Sequence, residues 1–331
     1  MAKTKTAKPA PLDLTLPWQV LEGDCLAQFP RLPAESVDLV IVDPPYDIGY
    51  EYPEFDDTPD EPAYLAWLAR VFAAVHRALK PDGTFWLIIG DERAAQAKLI
   101  AEQHPWLDAR RVPLFPGFYT RSWVLWYYTF GVACTQNFAR SHTHLFCFTK
   151  SRERFTFNAA AAGLRVPSAR QLLYNDKRAN PAGKLPDNTW ILSPLDLAKA
   201  FTPDEDTWCI SRVCGTYRER CDRGTEGERK GVPQLPLALV DRLVLASSRP
   251  GELVLDCMCG TGTTGVSAVR LGRRFLGIDL GATCVKMSRE RISEAAQQGG
   301  MTCVPSGSTA ATTPVKTRRR SSRPAPPTPP N

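Results

Sequence analysis

The apolar positions of this chain change period in an orderly way. Val37 to Val42 form a mostly apolar, β-branched run, VDLVIV, which predicts a buried strand. Asp43, Pro44, Pro45 and Tyr46 follow at once. Neither proline can donate to a ladder, so the strand must end in a stiff turn. From Glu61 the period switches: Tyr64, Leu65, Leu68, Val71, Phe72, Val75 and Leu79 recur at helical spacing. KPDG at 80–83 reads as a turn, TFWLIIG at 84–90 as the next strand and ERAAQAKLIAEQ at 92–103 as a helix. SWVLWYYTF and THLFCFTK are strand-like and aromatic-rich. Ahead of these, LEGDCLAQFPRL reads as a strand end and a short helix. Beyond residue 232 the alternation resumes: helix LPLALVDRLVLASS, strand ELVLD, helix TTGVSAVRLG, strand RFLGID, helix ATCVKMSRERISEAAQQ. The alternation predicts an α/β fold, in which ligands bind outside the carboxyl ends of the strands.

Residues 151–232 break this rhythm. They are rich in Pro, Gly, Arg and Asn and have weak periodicity, which predicts an inserted region with little regular structure. The last residues, SGSTAATTPVKTRRRSSRPAPPTPPN, have the composition of a disordered tail.

Charge sharpens this division. The formal net charge is +6, but eight cations lie in acid-free ends: Lys3, Lys5 and Lys8, then Lys316, Arg318, Arg319, Arg320 and Arg323. Without them the remainder carries −2, within which residues 121–203 hold eleven Lys/Arg against four Asp/Glu. A basic stretch in a near-neutral body points to a polyanionic partner, although a solvated basic face would look the same.

Ten cysteines include no C-x-x-C pair, and there is neither a signal peptide nor an apolar run long enough to span a bilayer. The expectation is reduced thiols in a cytoplasm. His142 and His144 would share one face of a strand, but no carboxylate or cysteine cluster accompanies them, so no metal site is expected.

LVLDCMCGTGTTGVSA runs from strand through acid and glycine turn to helix. Gly260, Gly262 and Gly265 satisfy G-x-G-x-x-G, and Asp279 ends the next strand, placed to accept from ribose hydroxyls. The loop alone fits a dinucleotide site and an S-adenosylmethionine site equally. Asp256 at its mouth separates them: a carboxylate repels a pyrophosphate but suits a cationic sulfonium and ammonium.

The D-P-P-Y turn fits methylation of an exocyclic amino group. Such a nitrogen is a poor nucleophile because its lone pair is delocalised into the ring. Acceptors on its hydrogens, the Asp43 carboxylate and the Pro44 carbonyl, would free that pair, and Tyr46 offers a face for the base to stack on. The base must leave the duplex to reach the turn.

At these residues the chain resembles the DNA amino-methyltransferases, in the permuted (beta class) group whose catalytic motif precedes the cofactor motif. GDCLAQFPRLPAESVDLVIVDPPYDIG, SRVCGTYRER and VPQLPLALVDRLVLASSRPGELVLDCMCGTGTTGVSAVRLGRRFLGIDL carry the resemblance. It implies a Rossmann-like methyltransferase fold, mostly parallel with one antiparallel strand near THLFCFTK. It also implies S-adenosylmethionine as cofactor and duplex DNA as partner, with a cognate restriction endonuclease and a monomeric or dimeric state possible. The implied catalytic residues are Asp43, Pro44, Pro45 and Tyr46. The implied cofactor residues are Asp24 at the adenine, Gln234 with Pro236 at the methionine end, Asp256, the loop residues Gly260, Thr261, Gly262 and Thr263, and Asp279 at the ribose. The chain departs from the family's pattern with Cys257-Met258 in place of Pro-Phe, Asp47 in place of Asn, and no His-Pro before Gln234.

The implied divisions are a basic N-terminus (1–16), a catalytic half (17–150), a target-recognition insertion (151–207), a cofactor half (208–297) and a basic tail (298–331). Asp43 ahead of the prolines leans toward adenine N6 over cytosine N4. The competing readings are a nicotinamide-dependent oxidoreductase, an RNA or protein methyltransferase, and a DNA-binding protein without activity.

Overall fold

Eight strands share one sheet in the computed structural model, which describes residues 10–50, 57–58, 60–103, 113–128, 135–136, 138, 140–161, 164–192 and 233–298. They are β1 (Trp18–Glu22), β2 (Val37–Val42), β3 (Leu79–Ile89), β4 (Tyr119–Tyr128), β5 (His142–Thr149), β6 (Thr189–Leu192), β7 (Leu253–Asp256) and β8 (Arg274–Asp279), in the order β1-β8-β7-β2-β3-β5-β4-β6. Among the described strands, only β5 is antiparallel to its neighbours, pairing Thr84↔Thr149 with β3 and Trp123↔Phe146 with β4. The antiparallel strand thus falls on THLFCFTK, as expected.

The strand that opens the argument lies at the centre. All six residues of β2 are buried, and its pairing with β7 (Leu39↔Val254, Val40↔Leu255) joins the two sequence halves into one sheet. Asp38 is tolerated inside it because its carboxylate accepts from Lys80 Nζ at 2.6 Å and from the Leu253 amide at 2.9 Å.

Among the described residues, seven α-helices accompany the sheet: α1 (Cys25–Gln28), α2 (Glu61–Ala78), α3 (Asp91–Ala101), α4 (Ala169–Leu172), α5 (Leu237–Ser247), α6 (Thr263–Arg270) and α7 (Ala282–Gln298). Val37, Val40 and Val42 of β2 pack on one side with Leu68, Phe72 and Val75 of α2. Leu39 and Ile41 pack on the other with Leu239, Leu243 and Val244 of α5. This alternation explains why the strand reads as uninterrupted apolar sequence: both faces are covered.

Several boundaries differ from the sequence reading. KPDG does not end a strand. It bulges within β3, so the partner of β2 jumps from Leu79 at Val37 to Thr84 at Leu39. Residues 10–16 are not a free tail: Leu12 N donates to Arg31 O at 3.3 Å, and Arg274 Nη1 bonds the Leu14 carbonyl. The insertion is less separate than its composition suggests. Asn158 Nδ2 donates to Leu245 O and Ser248 O at the end of α5, and β6 joins the main sheet beside β4. Local backbone and side-chain bonding anchor this stretch where hydrophobic periodicity is absent. Residues 1–9, SRVCGTYRER and the C-terminal tail lie outside the described residues.

Candidate active site

The strands β1, β2, β7 and β8 deliver their following residues to one edge of the sheet. Asp24 follows β1, Asp43 follows β2, and Asp256 and Asp279 close β7 and β8. These four aspartates wall a single cavity of about 630 Å³ together with Pro44, Pro45, Tyr46, Gln234, Gly260, Thr261 and Thr263. The two candidate motifs, more than 200 residues apart in sequence, therefore face the same space. Among the described residues, no lysine, arginine or histidine lines it.

The catalytic turn is fixed from several sides. The Tyr46 hydroxyl donates to Asp43 Oδ1 at 2.7 Å, a bond that the stacking argument alone does not anticipate. Tyr64 of α2 donates its hydroxyl to the Pro45 carbonyl at 2.8 Å. Burial, reinforced by Asp57 and Asp47, pushes the Tyr64 phenol well above its ordinary range, so it remains a donor.

Beyond the turn, Asp57 accepts from the amides of Asp47 (2.9 Å), Ile48 (3.1 Å) and Tyr50 (3.0 Å). Asp47, at φ +58°, accepts from Arg93 at 2.7 Å through Oδ2 and from the Asp60 amide at 2.8 Å through Oδ1. The departure from Asn at this position thus has a partner on α3: an acid can hold a half-buried guanidinium through two donors.

The glycine loop is held by its own acids. Asp279 Oδ2 accepts from Gly260 N at 2.7 Å, and Oδ1 from Gly281 N at 2.9 Å. Gly260 has φ +49°, a conformation glycine adopts without a Cβ penalty. Arg291 of α7 braces the loop by donating to Thr261 O at 2.6 Å. Asp256 accepts from Met258 N at 3.1 Å and from the Thr264 side chain. Burial, with lesser contributions from Asp43 and Asp279, pushes its carboxyl up to about 7. Asp279 is also raised by burial, against the pull of its two amide donors.

Two expected cofactor residues are placed otherwise. Gly262 does not line the cavity. It caps α6 at φ +82°, where a Cβ would come within 2.9 Å of Ser288 Cα, so it is a close-packing glycine beneath the loop. Pro236 is likewise outside the lining and caps α5. Conversely, Trp67, Trp126, Thr143, Thr264 and Gly281 line the cavity without having been singled out. Trp126 is an aromatic on a strand and gives no sequence sign that it faces a cavity rather than core. Thr264, in contrast, is adjacent to the loop. His144 Nδ1 accepts from Trp123 Nε1 at 2.9 Å, so this imidazole serves the strand pair. Among the described residues, no group of three His, Cys, Asp or Glu is placed to hold a metal.

A parallel-rich sheet with a carboxylate-lined cavity at its strand ends and an acid-proline turn in the cavity wall has the architecture of a Rossmann-like methyltransferase. The sequence profile of the DNA methylase family matches residues 37–290. The chain is 30% identical over 277 residues to the DNA adenine methyltransferase YhdJ of Escherichia coli K12, covering 83% of each protein. It is 31% identical over 271 residues to the type II methyltransferase M.HpaI of Haemophilus parainfluenzae, covering 82% of this chain and 72% of that one. Its fold superposes on the cytosine-N4-specific PvuII DNA methyltransferase with a TM-score of 0.56 at 16% identity, over 85% of this chain and 92% of that one. The chain belongs to the DNA methylase family, the amino-methyltransferases of adenine N6 or cytosine N4, which use S-adenosylmethionine.

Proposed function

We propose that this enzyme methylates N6 of an adenine flipped out of duplex DNA, with Asp43 and the Pro44 carbonyl accepting from the amino group. The shared cavity carries the reading: the acceptor turn and the glycine loop open into the same 630 Å³. The acidic character of the charged residues among the described lining supports the cofactor. Asp256 and its neighbours suit a cationic ligand and oppose the pyrophosphate of a nicotinamide dinucleotide. S-adenosylmethionine, when bound, supplies an electrophilic methyl group. Asp279 and Asp24 would hold its nucleoside end, Asp256 and Gln234 its amino-acid end, with Gly260, Thr261 and Thr263 lining the path between.

The protein's own work is positional. Tyr46 steadies the Asp43 carboxylate by donating to Oδ1, which favours a fixed acceptor for one substrate amino hydrogen. Tyr64 steadies the turn by donating to the Pro45 carbonyl, which supports the Pro44 carbonyl as acceptor for the other. Both acceptors draw the nitrogen toward tetrahedral geometry, and Asp43 lies within reach of the proton that the product must lose. The name of YhdJ supports adenine as the target, and the type II names of other relatives support pairing with an endonuclease. The five described cysteines are free thiols, and no described helix is long and apolar enough to cross a membrane, which supports a cytoplasmic site beside DNA. We assign residues 151–207 to target recognition, contributed by one copy or two.

The test is to expose unmodified plasmid to the protein and S-adenosylmethionine, identify the modified base by chromatography and map it by sequencing. N6-methyladenine at one recurring sequence is expected. N4-methylcytosine would correct the base, and no modified base alongside tight NAD binding would reject the assignment.

A further inference from the structure

The insertion carries an apolar tip that the fold does not bury. Leu172, Leu173 and Tyr174 are consecutive and 43%, 47% and 73% exposed. Three large apolar side chains in a row at the surface cost solubility unless something covers them. They crown a loop that is tied at its base and braced within. Val166 and Lys184 pair across the neck, N to O in both directions at 2.9 and 2.8 Å. Leu172 N donates to Ser168 O at 3.0 Å, and Asp176 N to Arg170 O at 2.9 Å. Asp176 also accepts from Arg178 at 3.0 Å. The tip is therefore pre-organised.

The surroundings select its partner. Residues 165–184 hold Arg165, Arg170, Lys177, Arg178 and Lys184 against one acid, Asp176. A second copy of this chain facing the same patch across a two-fold axis would set like charges together. A tip of three side chains is small for a stable membrane anchor, which takes a larger apolar area or two signals. The stacked bases of a duplex offer an apolar slot between two rows of phosphates, which matches an apolar point ringed by cations. The loop also returns to the strand that carries a wall of the site. Asn188, just beyond it, accepts from Leu125 N at 2.8 Å and donates to Trp123 O at 3.1 Å, on β4 just ahead of the cavity residue Trp126.

We propose that Leu172, Leu173 and Tyr174 form a wedge that enters the base stack of the substrate duplex beside the extruded nucleotide, while Arg170, Lys177 and Lys184 hold the flanking phosphates. The proposal rests on the DNA reading above. Tyr174, the most exposed of the three, stacks on the step left open.

Its test uses the full chain, plasmid DNA and permanganate, which oxidises unstacked thymines, with the reacted positions read by sequencing. The wild type is expected to give discrete hyper-reactive thymines. Tyr174→Ala should lower that reactivity at least fivefold while plasmid affinity changes no more than about twofold, and Tyr174→Trp should restore it. Leu172→Ser with Leu173→Ser should act like Tyr174→Ala. Unchanged reactivity in Tyr174→Ala would overturn the wedge. So would a shift from dimer to monomer in sedimentation, or Tyr174-dependent binding to phosphatidylserine vesicles, with DNA reactivity unaffected. The readout needs no methyl transfer: a protein that unstacks DNA through Tyr174 but transfers no methyl group would keep the wedge and sink the methyltransferase assignment.

Discussion

Asp43 and Asp256 are both aspartates at strand ends facing one cavity, yet their surroundings differ. Asp43 is oriented by a phenol, and in the proposed reaction its removal deletes an acceptor for the substrate amine. Asp43→Ala is expected to abolish methylation while leaving S-adenosylmethionine affinity within about threefold, as read by calorimetry. Tyr46→Phe keeps the stacking face and loses only the bond to Asp43, so its rate should fall about tenfold, against a hundredfold or more for Tyr46→Ala, in initial-rate assays.

Asp256 is a group whose folded value, about 7, stands above its ordinary 3.8. Protonated below that value, it offers no charge to a cationic ligand. Cofactor affinity should therefore rise from pH 6 to pH 8, with proton release on binding in the lower part of that range. Calorimetry in buffers of different ionisation enthalpy measures both. For stability the sign is opposite. A raised carboxyl contributes stability below 3.8 that is lost as pH climbs toward 7. Asp256→Asn should consequently unfold at a higher temperature than the wild type at pH 8, while failing to bind cofactor.

At the scale of elements, residues 47–50 after the turn are organised by one buried side chain. The Asp57 carboxylate accepts from three backbone donors of the stretch that carries Ile48 and Tyr50 into the cavity. Asp57→Ala would leave those amides without their acceptor, at a cost of about 2–3 kcal/mol. We expect a large fall in kcat with a small change in cofactor affinity, since the glycine loop is braced separately by Asp279 and Arg291. Equal losses in both would show that the two loops move together. The elements themselves were largely legible. β2, β8 and α7 fall where their patterns put them, because each is apolar on the faces that pack. The Asp57 and Asp47–Arg93 braces were not legible: a polar side chain 10 or 46 residues from its partner leaves no periodic trace.

Across the whole molecule, the antiparallel β5 divides the basic stretch in two. Because β5 runs against its neighbours, Thr149 and the cations just after it, Lys150 and Arg152, lie at the sheet end opposite the cavity. There Arg121 donates to Arg152 O and stacks 3.9 Å over Phe155, while Lys150 bonds Leu79 O. The cations that the proposed function turns toward DNA are those of residues 165–184. Arg121→Ala with Arg152→Ala should leave the salt dependence of DNA binding unchanged. Arg170→Ala with Lys177→Ala should flatten it by about one charge-equivalent each, measured by filter retention from low to moderate salt. A flattening by Arg121→Ala would place DNA at the wrong end of the sheet.

The sequence by itself determined the α/β alternation, the turn at Asp43 to Tyr46 and the acid-glycine loop, because hydrophobic period, proline and glycine act on their immediate neighbours. It did not determine which basic residues lie at the end of the sheet away from the cavity, that Gly262 packs beneath the loop, or that Tyr46 and Tyr64 lock the turn. Those depend on strand direction and on side chains brought together from distant positions, and only the assembled sheet decides them.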